Sequence, residues 1–278
     1  MNGRISLWVK AHPLITYFAL AYVISWAIVL PLVARAQGFI DVRIPFALHY
    51  LNDYGPLLAA IITARIADGA DGLRDLLRRM VRWRAALGWV LLATLLPLGV
   101  FAVAAGIVVL AMGKEPPNLD LLGKLPYLPY LGYGGWIFWM LTVGLGEESG
   151  WRGYALPKLQ RNMSALSATM IVTLLWVGWH LPRFFYFDGF LKLGFSVLPT
   201  FALQLLVWAI ILAWLYNSAG GSILAAALFH SGFNFFLTSP AAGGAMYSVI
   251  RELLLVLAIA VIVLFKPANL SRRWRHVL

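Results

Sequence analysis

The stretch GEESGWRG, Gly146–Gly153, sets two adjacent carboxylates and an arginine inside a run that is otherwise apolar. The chain around it is 62% hydrophobic and only 12% charged, with a mean hydropathy of +0.81. That balance lies outside the range of soluble globular domains. Apolar stretches of roughly 20 residues, the length a helix needs to cross a bilayer, recur along the 278 residues. The sequence therefore specifies an all-α fold, a polytopic membrane helical bundle, and the charged octet belongs to one of its helices.

Hydropathy places about eight transmembrane helices. The first three fall near Leu14–Ala34, Phe46–Ile66 and Ala85–Met112. The fourth begins near Leu131, the fifth covers about Ser164–Leu181, and three more lie near Gly194–Tyr216, Ser222–Leu237 and Met246–Phe265. The opening MNGRISLWVKAHP leads into an apolar run too long for the core of a signal peptide, so that run reads as the first membrane helix. The whole chain, 1–278, reads as one membrane domain. Its parts are N-terminal spans (1–130), core spans (131–238), and a last span with a basic tail (239–278).

Between the second and third spans, GLRDLLRRMVRWR (Gly72–Arg84) repeats Leu73, Leu76, Leu77, Met80 and Trp83 at helical spacing with arginines between them. This predicts an amphipathic helix on the membrane surface, serving as a lipid anchor. The net charge of +11 then reflects basic loops facing anionic lipid, with no nucleic acid partner implied. An even number of spans puts both termini on one side. Most Lys and Arg share that side, and Arg35, Arg43, Lys114, Lys124, Arg183 and Lys192 fall on the other. The excess predicts cytoplasmic termini. It also favours substrate access from that basic side. With no cysteine in the chain, disulfides, a thiol nucleophile and thiolate metal ligands are excluded.

Ionisable groups at membrane depth are costly and are candidates for function. Glu148 and Arg152 are four apart in a helix and can pair. Glu147 is turned about 100° away and cannot share that arginine equally. An unpaired carboxylate there suits general-base work, and an interfacial charge cluster at a helix end explains it as well. Gly146 and Gly150 let another helix approach closely. His180 closes WVGWH, one turn after Trp176, and Pro182 should end or kink that helix. His230 and Asn234, at i and i+4, share a face, where they either donate jointly to an oxyanion or bond across helices as glue. His49 and Asp53 also share a face and read as a structural pair. If the fourth helix continues through WRGYALPKLQ and turns near Arg161, Glu147 and His180 lie roughly 21 Å and 28 Å of helix from that turn. Tilt reconciles those depths.

EESGWR at Glu147–Arg152, the aromatic Trp176 four residues before His180, and HSGFN at His230–Asn234 together resemble the three motifs of the CAAX protease and bacteriocin-processing family of Rce1-type intramembrane proteases. The motifs EExxxR, aromatic-xxx-His and His-xxx-Asn stand in the family's order, over about Gly135–Leu237. Trp176 replaces the commoner phenylalanine, a change expected to matter little. The resemblance implies an intramembrane endopeptidase with Glu147 as the general base that activates water, helped by His180. It makes His230 and Asn234 the oxyanion-stabilising pair, and Glu148 and Arg152 supporting residues. It also implies a peptide or lipidated protein substrate.

Zn²⁺ is the cofactor this pattern leaves open, with Glu147, His180 and His230 as donors. Against it stand the absence of HExxH and the poor ligand Asn234, and water activated by glutamate without a tightly bound metal is the preferred reading. The alternatives are a non-catalytic immunity or scaffold protein of the same fold, and a small transporter using Glu147, His49 and Asp53 as a relay. The first predicts lost motif positions, yet all are filled. The second predicts inverted repeats, and none is visible. Other intramembrane protease classes lack their motifs here: no HExxH, no GxGD, and only Ser231 directly beside His230.

Overall fold

The computed structural model describes residues 3–125 and 128–278. Helices dominate, and no strand occurs among the described residues. In chain order the principal helices are α1 (Gly3–Ala11), α2 (Pro13–Ala36), α3 (48–67), α4 (Gly69–Met80) and α5 (Leu87–Ala111). They continue with α6 (134–159), α7 (Ala165–Trp179), α8 (Leu198–Ser218), α9 (Ile223–Leu237) and α10 (Ala245–Asn269). The eight expected spans correspond to α2, α3 and α5 to α10. Five stretches, containing α2, α5, α7, α8 and α10, are long and apolar enough to cross a membrane on their own. The other three differ for physical reasons. α3 is interrupted by a tight 3₁₀ turn at Asn52–Tyr54, α9 is short, and α6 carries the charges of the opening octet.

α6 and α9 form the inside of the bundle. Nearly every residue from Thr142 to Gln160 and from Ile223 to Phe233 is buried. Around them stand α2, α3, α5, α7, α8 and α10, whose outward residues, such as Val23, Leu95, Leu110, Leu174 and Leu264, are exposed. Those apolar faces suit lipid, which is as apolar as leucine. α6 runs on to Leu159 and turns at Gln160–Asn162, so the longer of the two possible fourth helices is the one formed. A membrane helix can bury Glu147, Glu148 and Arg152 only where neighbours supply partners. Glycine provides the approach. A Cβ on Gly146 would stand 2.7 Å from the backbone oxygen of Asp53, and one on Gly150 would stand 2.6 Å from that of Pro56.

The ends of the bundle are unlike. At one end α1, α4, the α6–α7 turn, the α8–α9 turn and the C-terminal tail gather. Gln160 Nε2 donates to His276 O (2.6 Å) and Arg275 Nε to Gln160 O (2.8 Å). Asn217 Nδ2 donates to Gln160 Oε1 (2.8 Å), and Arg82 Nη1 to Gly220 O (2.8 Å). Both termini thus share one end, as the even span number requires. The amphipathic helix differs from expectation at its boundaries: it starts at Gly69 and stops at Met80, leaving Trp83 outside it. Arg79, read from sequence as a surface charge, is buried between Asp75 (2.7 Å) and the Tyr216 hydroxyl (2.9 Å), because α4 docks on the bundle through Leu76. Arg152 lies inside the bundle, at the depth expected of a partner for Glu148.

Because Pro56 backbone cannot retreat, Gly150→Ala is expected to destabilise the protein by about 1–3 kcal/mol, read as a lowered unfolding midpoint in detergent. Gly99→Ala, where nothing lies within 4 Å, is the control. Equal midpoints for the two variants would contradict this packing.

Candidate active site

Two widened turns shape the middle of α6. Residues Met140–Glu147 and Trp151–Ala155 are π-helical, flanking a single α turn at Glu148–Gly150. Such π segments displace side chains from the regular α register and are frequent at functional sites. Here they leave Glu147 and Glu148 facing different neighbours, as their sequence adjacency requires.

Glu148, wholly inaccessible, points to α9. Its Oε1 accepts from Arg152 Nη1 at 2.9 Å and from His230 Nδ1 at 2.7 Å. The i,i+4 pairing with Arg152 is the expected one; the bond to His230 was not foreseen, since spacing within one helix carries no information about a residue 82 positions away. Glu147, also buried, points to α7. Its Oε2 accepts from the indole Nε1–H of Trp176 at 2.7 Å.

Trp176 does more than supply an aromatic ring. Its face carries the Arg152 guanidinium at 4.6 Å, a cation–π contact. Its carbonyl accepts from His180 Nδ1 at 2.7 Å, and its ring meets those of His180 and His230 edge to face at 5.6 Å each. The expectation that tryptophan here is equivalent to phenylalanine is corrected: phenylalanine has no N–H to give Glu147. The signal was present in the residue type, because a buried indole N–H usually finds an acceptor.

These bonds fix the tautomers of both histidines. A carbonyl only accepts, so His180 carries its proton on Nδ1. An ionised carboxylate only accepts, so His230 does likewise. Each ring keeps Nε2 for the cavity that both line. Asn234, half-buried in the π-helical last turn of α9 (Phe233–Leu237), donates from Nδ2 to His230 O at 3.3 Å.

Glu147, Trp176, His180, His230 and Asn234 line one cavity of about 540 Å³. Glu148 and Arg152 stand behind its wall. The cavity extends to Gly123–Leu125 and Thr238–Pro240, loops at the end of the bundle opposite the termini. That placement runs against the expectation that the basic end is the side of access. His49 and Asp53 also line it but do not pair with each other as read from sequence. His49 Nδ1 bonds the Tyr186 hydroxyl at 2.8 Å, and Asp53 Oδ1 lies 3.6 Å from Arg183 Nη2. The 3₁₀ turn at Asn52–Tyr54 separates these side chains from the simple i,i+4 face.

The donor set considered for Zn²⁺ does not assemble. Among the described residues no three His, Asp or Glu side chains are placed to hold one metal ion.

Residues 129–236 match the family described as "Type II CAAX prenyl endopeptidase Rce1-like". A curated protein, "CAAX prenyl protease 2" of Methanococcus maripaludis, is 32% identical over 98 residues, 34% of this chain and 36% of the relative. The match therefore spans about a third of the relative's length. Residues 129–236 take in α6, α7, α8 and nearly all of α9, which supply Glu147, Trp176, His180, His230 and Asn234 to the cavity.

Removing one member of a buried charge pair leaves an uncompensated charge. Glu148→Ala is therefore expected to cost about 3–5 kcal/mol, measured by thermal or denaturant unfolding in detergent. A loss below about 1 kcal/mol, the range of exposed pairs, would refute the bridging arrangement.

Proposed function

We propose that this Rce1-like core is the hydrolytic centre of an intramembrane endopeptidase. The observation that carries the reading is the meeting of Glu147 from α6, His180 from the end of α7, and His230 with Asn234 from α9 on one cavity inside the bundle.

The chemistry follows from the bonds each group has left. Trp176 occupies Glu147 Oε2, so Oε1 is free to accept a proton from water. His180 offers Nε2 as a second acceptor, because its proton is held on Nδ1. Water placed between them loses one proton to Glu147 as its oxygen attacks a peptide carbonyl. The carbonyl π-bond pair becomes an oxyanion. Asn234 Nδ2, which has a second N–H, can donate to that oxygen. His230, held through Nδ1–H on Glu148, stands beside Asn234 on the same cavity wall and fixes the side from which that oxygen is approached. Collapse of the tetrahedral species breaks the C–N bond, and the proton held by Glu147 passes to the leaving amine. Preorganised donors of this kind each contribute about 10²–10³ in rate. Glu148 and Arg152 act by holding His230 and Trp176 in register, as supporting groups. Every step is assigned to groups of this chain, and none is routed through a metal.

The substrate class in this reading is a peptide segment reaching into the bundle, and the relative's name, CAAX prenyl protease, favours one near a lipidated position. A non-catalytic scaffold of the same fold has no need of two histidines held in defined tautomers. Glu147→Gln, His180→Ala and His230→Ala are each expected to lower kcat/KM by about 10²-fold or more, measured by cleavage of membrane-delivered peptides in detergent. Glu147→Gln should keep a near-normal unfolding midpoint. Full activity in that variant would end the assignment.

The basic end of the bundle, which holds both termini, we assign to the cytoplasm, since Lys and Arg concentrate there. The cavity then reaches the opposite leaflet. The chain has no cysteine of its own, so single cysteines report sidedness directly. A membrane-impermeant maleimide applied to intact cells should label Lys114→Cys and spare Arg272→Cys; the reverse pattern would invert the orientation.

A further inference from the structure

At the terminal end of the bundle lies an open groove of about 690 Å³ that shares no residue with the hydrolytic cavity. Ser6 and Lys10 of α1 form one side, and residues 65–69, where α3 passes into α4, form the other. Ser6 and Lys10 stand at i and i+4 on one face of α1, and across the groove they meet Arg65, in the last turn of α3. Lys10 and Arg65 are exposed, and among the described residues neither side chain has a hydrogen-bond or ion-pair partner. The carboxylate that lines the groove, Asp68, is already engaged: its Oδ1 accepts from Lys158 Nζ at 2.9 Å. Two like charges thus face one hollow with no counter-charge left for them, and they repel until an anion enters. α1 is otherwise lightly held. Val9 is its buried residue, and among the described residues no α1 side chain hydrogen-bonds to another helix. Ile5, Leu7 and Trp8 are exposed instead. An exposed tryptophan with aliphatic neighbours, on a short helix at the end of a bundle, belongs at the bilayer interface, at the level of the lipid headgroups.

We infer that this groove binds the phosphodiester headgroup of an anionic glycerophospholipid. The phosphate sits between Lys10 and Arg65 and accepts charge-assisted hydrogen bonds from the ammonium and from the guanidinium fork. The Ser6 hydroxyl adds a neutral donor for a phosphate or glycerol oxygen. The helix that supplies Lys10 also exposes Ile5, Leu7 and Trp8, so acyl chains have an apolar surface beside the headgroup, which a soluble phosphate would leave unused. A zwitterionic lipid brings its own ammonium to the two cations and loses the attraction. The bound lipid has a structural consequence. It bridges α1, which has no side-chain bonds of its own to the bundle, to the α3–α4 junction. From that junction α4 docks through Leu76 and the buried Arg79, and Asp68 ties the same junction to Lys158 of α6. One headgroup thereby joins the N-terminal helix to the helix that carries the opening octet.

The probes are dioleoyl phosphatidylglycerol and dioleoyl phosphatidylcholine, titrated against the full-length protein in detergent, with bound lipid counted by native mass spectrometry. Phosphatidylglycerol is expected to bind about ten-fold more tightly or better. Lys10→Gln combined with Arg65→Gln should abolish that preference. Arg78→Gln combined with Arg84→Gln removes the same charge outside the groove and should keep it. Should the first double variant not fold, Lys10→Gln and Arg65→Gln singly are each expected to lose part of the preference, and no loss in either would count against the groove. Equal affinities for the two lipids, or a preference that survives the loss of Lys10 and Arg65, would overturn the site. An equal loss in the Arg78 and Arg84 variant would do so too, reducing the effect to general surface charge. Displacement of the lipid by sn-glycerol 3-phosphate at matched concentration would assign the groove to a soluble phosphate and overturn the lipid. Amide hydrogen exchange reads the bridge itself. Phosphatidylglycerol should slow exchange across Gly3–Ala11 about three-fold or more in the unmodified protein, and not in the Lys10 and Arg65 variant. Unchanged exchange in the unmodified protein would refute the bridge.

Discussion

Glu148 gives one carboxylate oxygen to two helices at once, and the rest of the interior is arranged around that bridge. Taking ions out of water costs several kcal/mol each even after relaxation, and their attraction offsets this only where geometry is good and further hydrogen bonds exist. Arg152 at 2.9 Å and His230 at 2.7 Å share Glu148 Oε1 and the ring of Trp176 adds a face for the guanidinium, while Glu148 Oε2 and Arg152 Nη2 are buried without partners. The bridge sets the register of α6 against α9. It also decides which nitrogen of His230 bears a proton, so a supporting ion pair becomes the means by which a cavity residue is oriented.

Trp176 plays the corresponding part for α7. Its indole N–H, carbonyl and ring each hold a different residue: Glu147, His180 and Arg152. Three helices are thereby locked at one level by a few short contacts in a region where water cannot substitute. The glycines of α6 are what permit this. Without the close approach at Gly146 and Gly150, α3 would stand further off, and the cavity wall containing Asp53 would not face Glu147.

Polar chemistry is confined to two places in an otherwise apolar bundle. At the terminal end, Gln160, Asn217, Arg275 and His276 tie the tail to the turns between helices. His276 is half-buried there, and its partial burial, reinforced by Arg79, lowers its pKa to about 4. It stays neutral at physiological pH, so its role at that end is packing and backbone hydrogen bonding. At the cavity, the Glu147, His180, His230 and Asn234 set lies beside the His49, Asp53 and Arg183 set. The first is tied to the bundle through Trp176 and Glu148, and the second through the Tyr186 hydroxyl and the Asp53–Arg183 contact.

The sequence by itself determined the class of fold, the approximate spans, and that Glu147, His180, His230 and Asn234 lie at membrane depth, where the structure places them on one cavity. Runs of apolar residues leave a backbone no alternative to helix in lipid, and a few ionisable groups at that depth must be partnered or functional. Even the Glu148–Arg152 pair was readable, because i,i+4 spacing is a local geometric fact. What crosses helices was not readable. The bond from His230 to Glu148, the N–H of Trp176 on Glu147, and the separation of His49 from Asp53 depend on how π turns and a 3₁₀ turn rotate side chains and on which helix packs beside which. Those choices are made by the packing of the whole bundle, at distances where a shift of one ångström makes or breaks a hydrogen bond. Spacing along a single chain does not encode them.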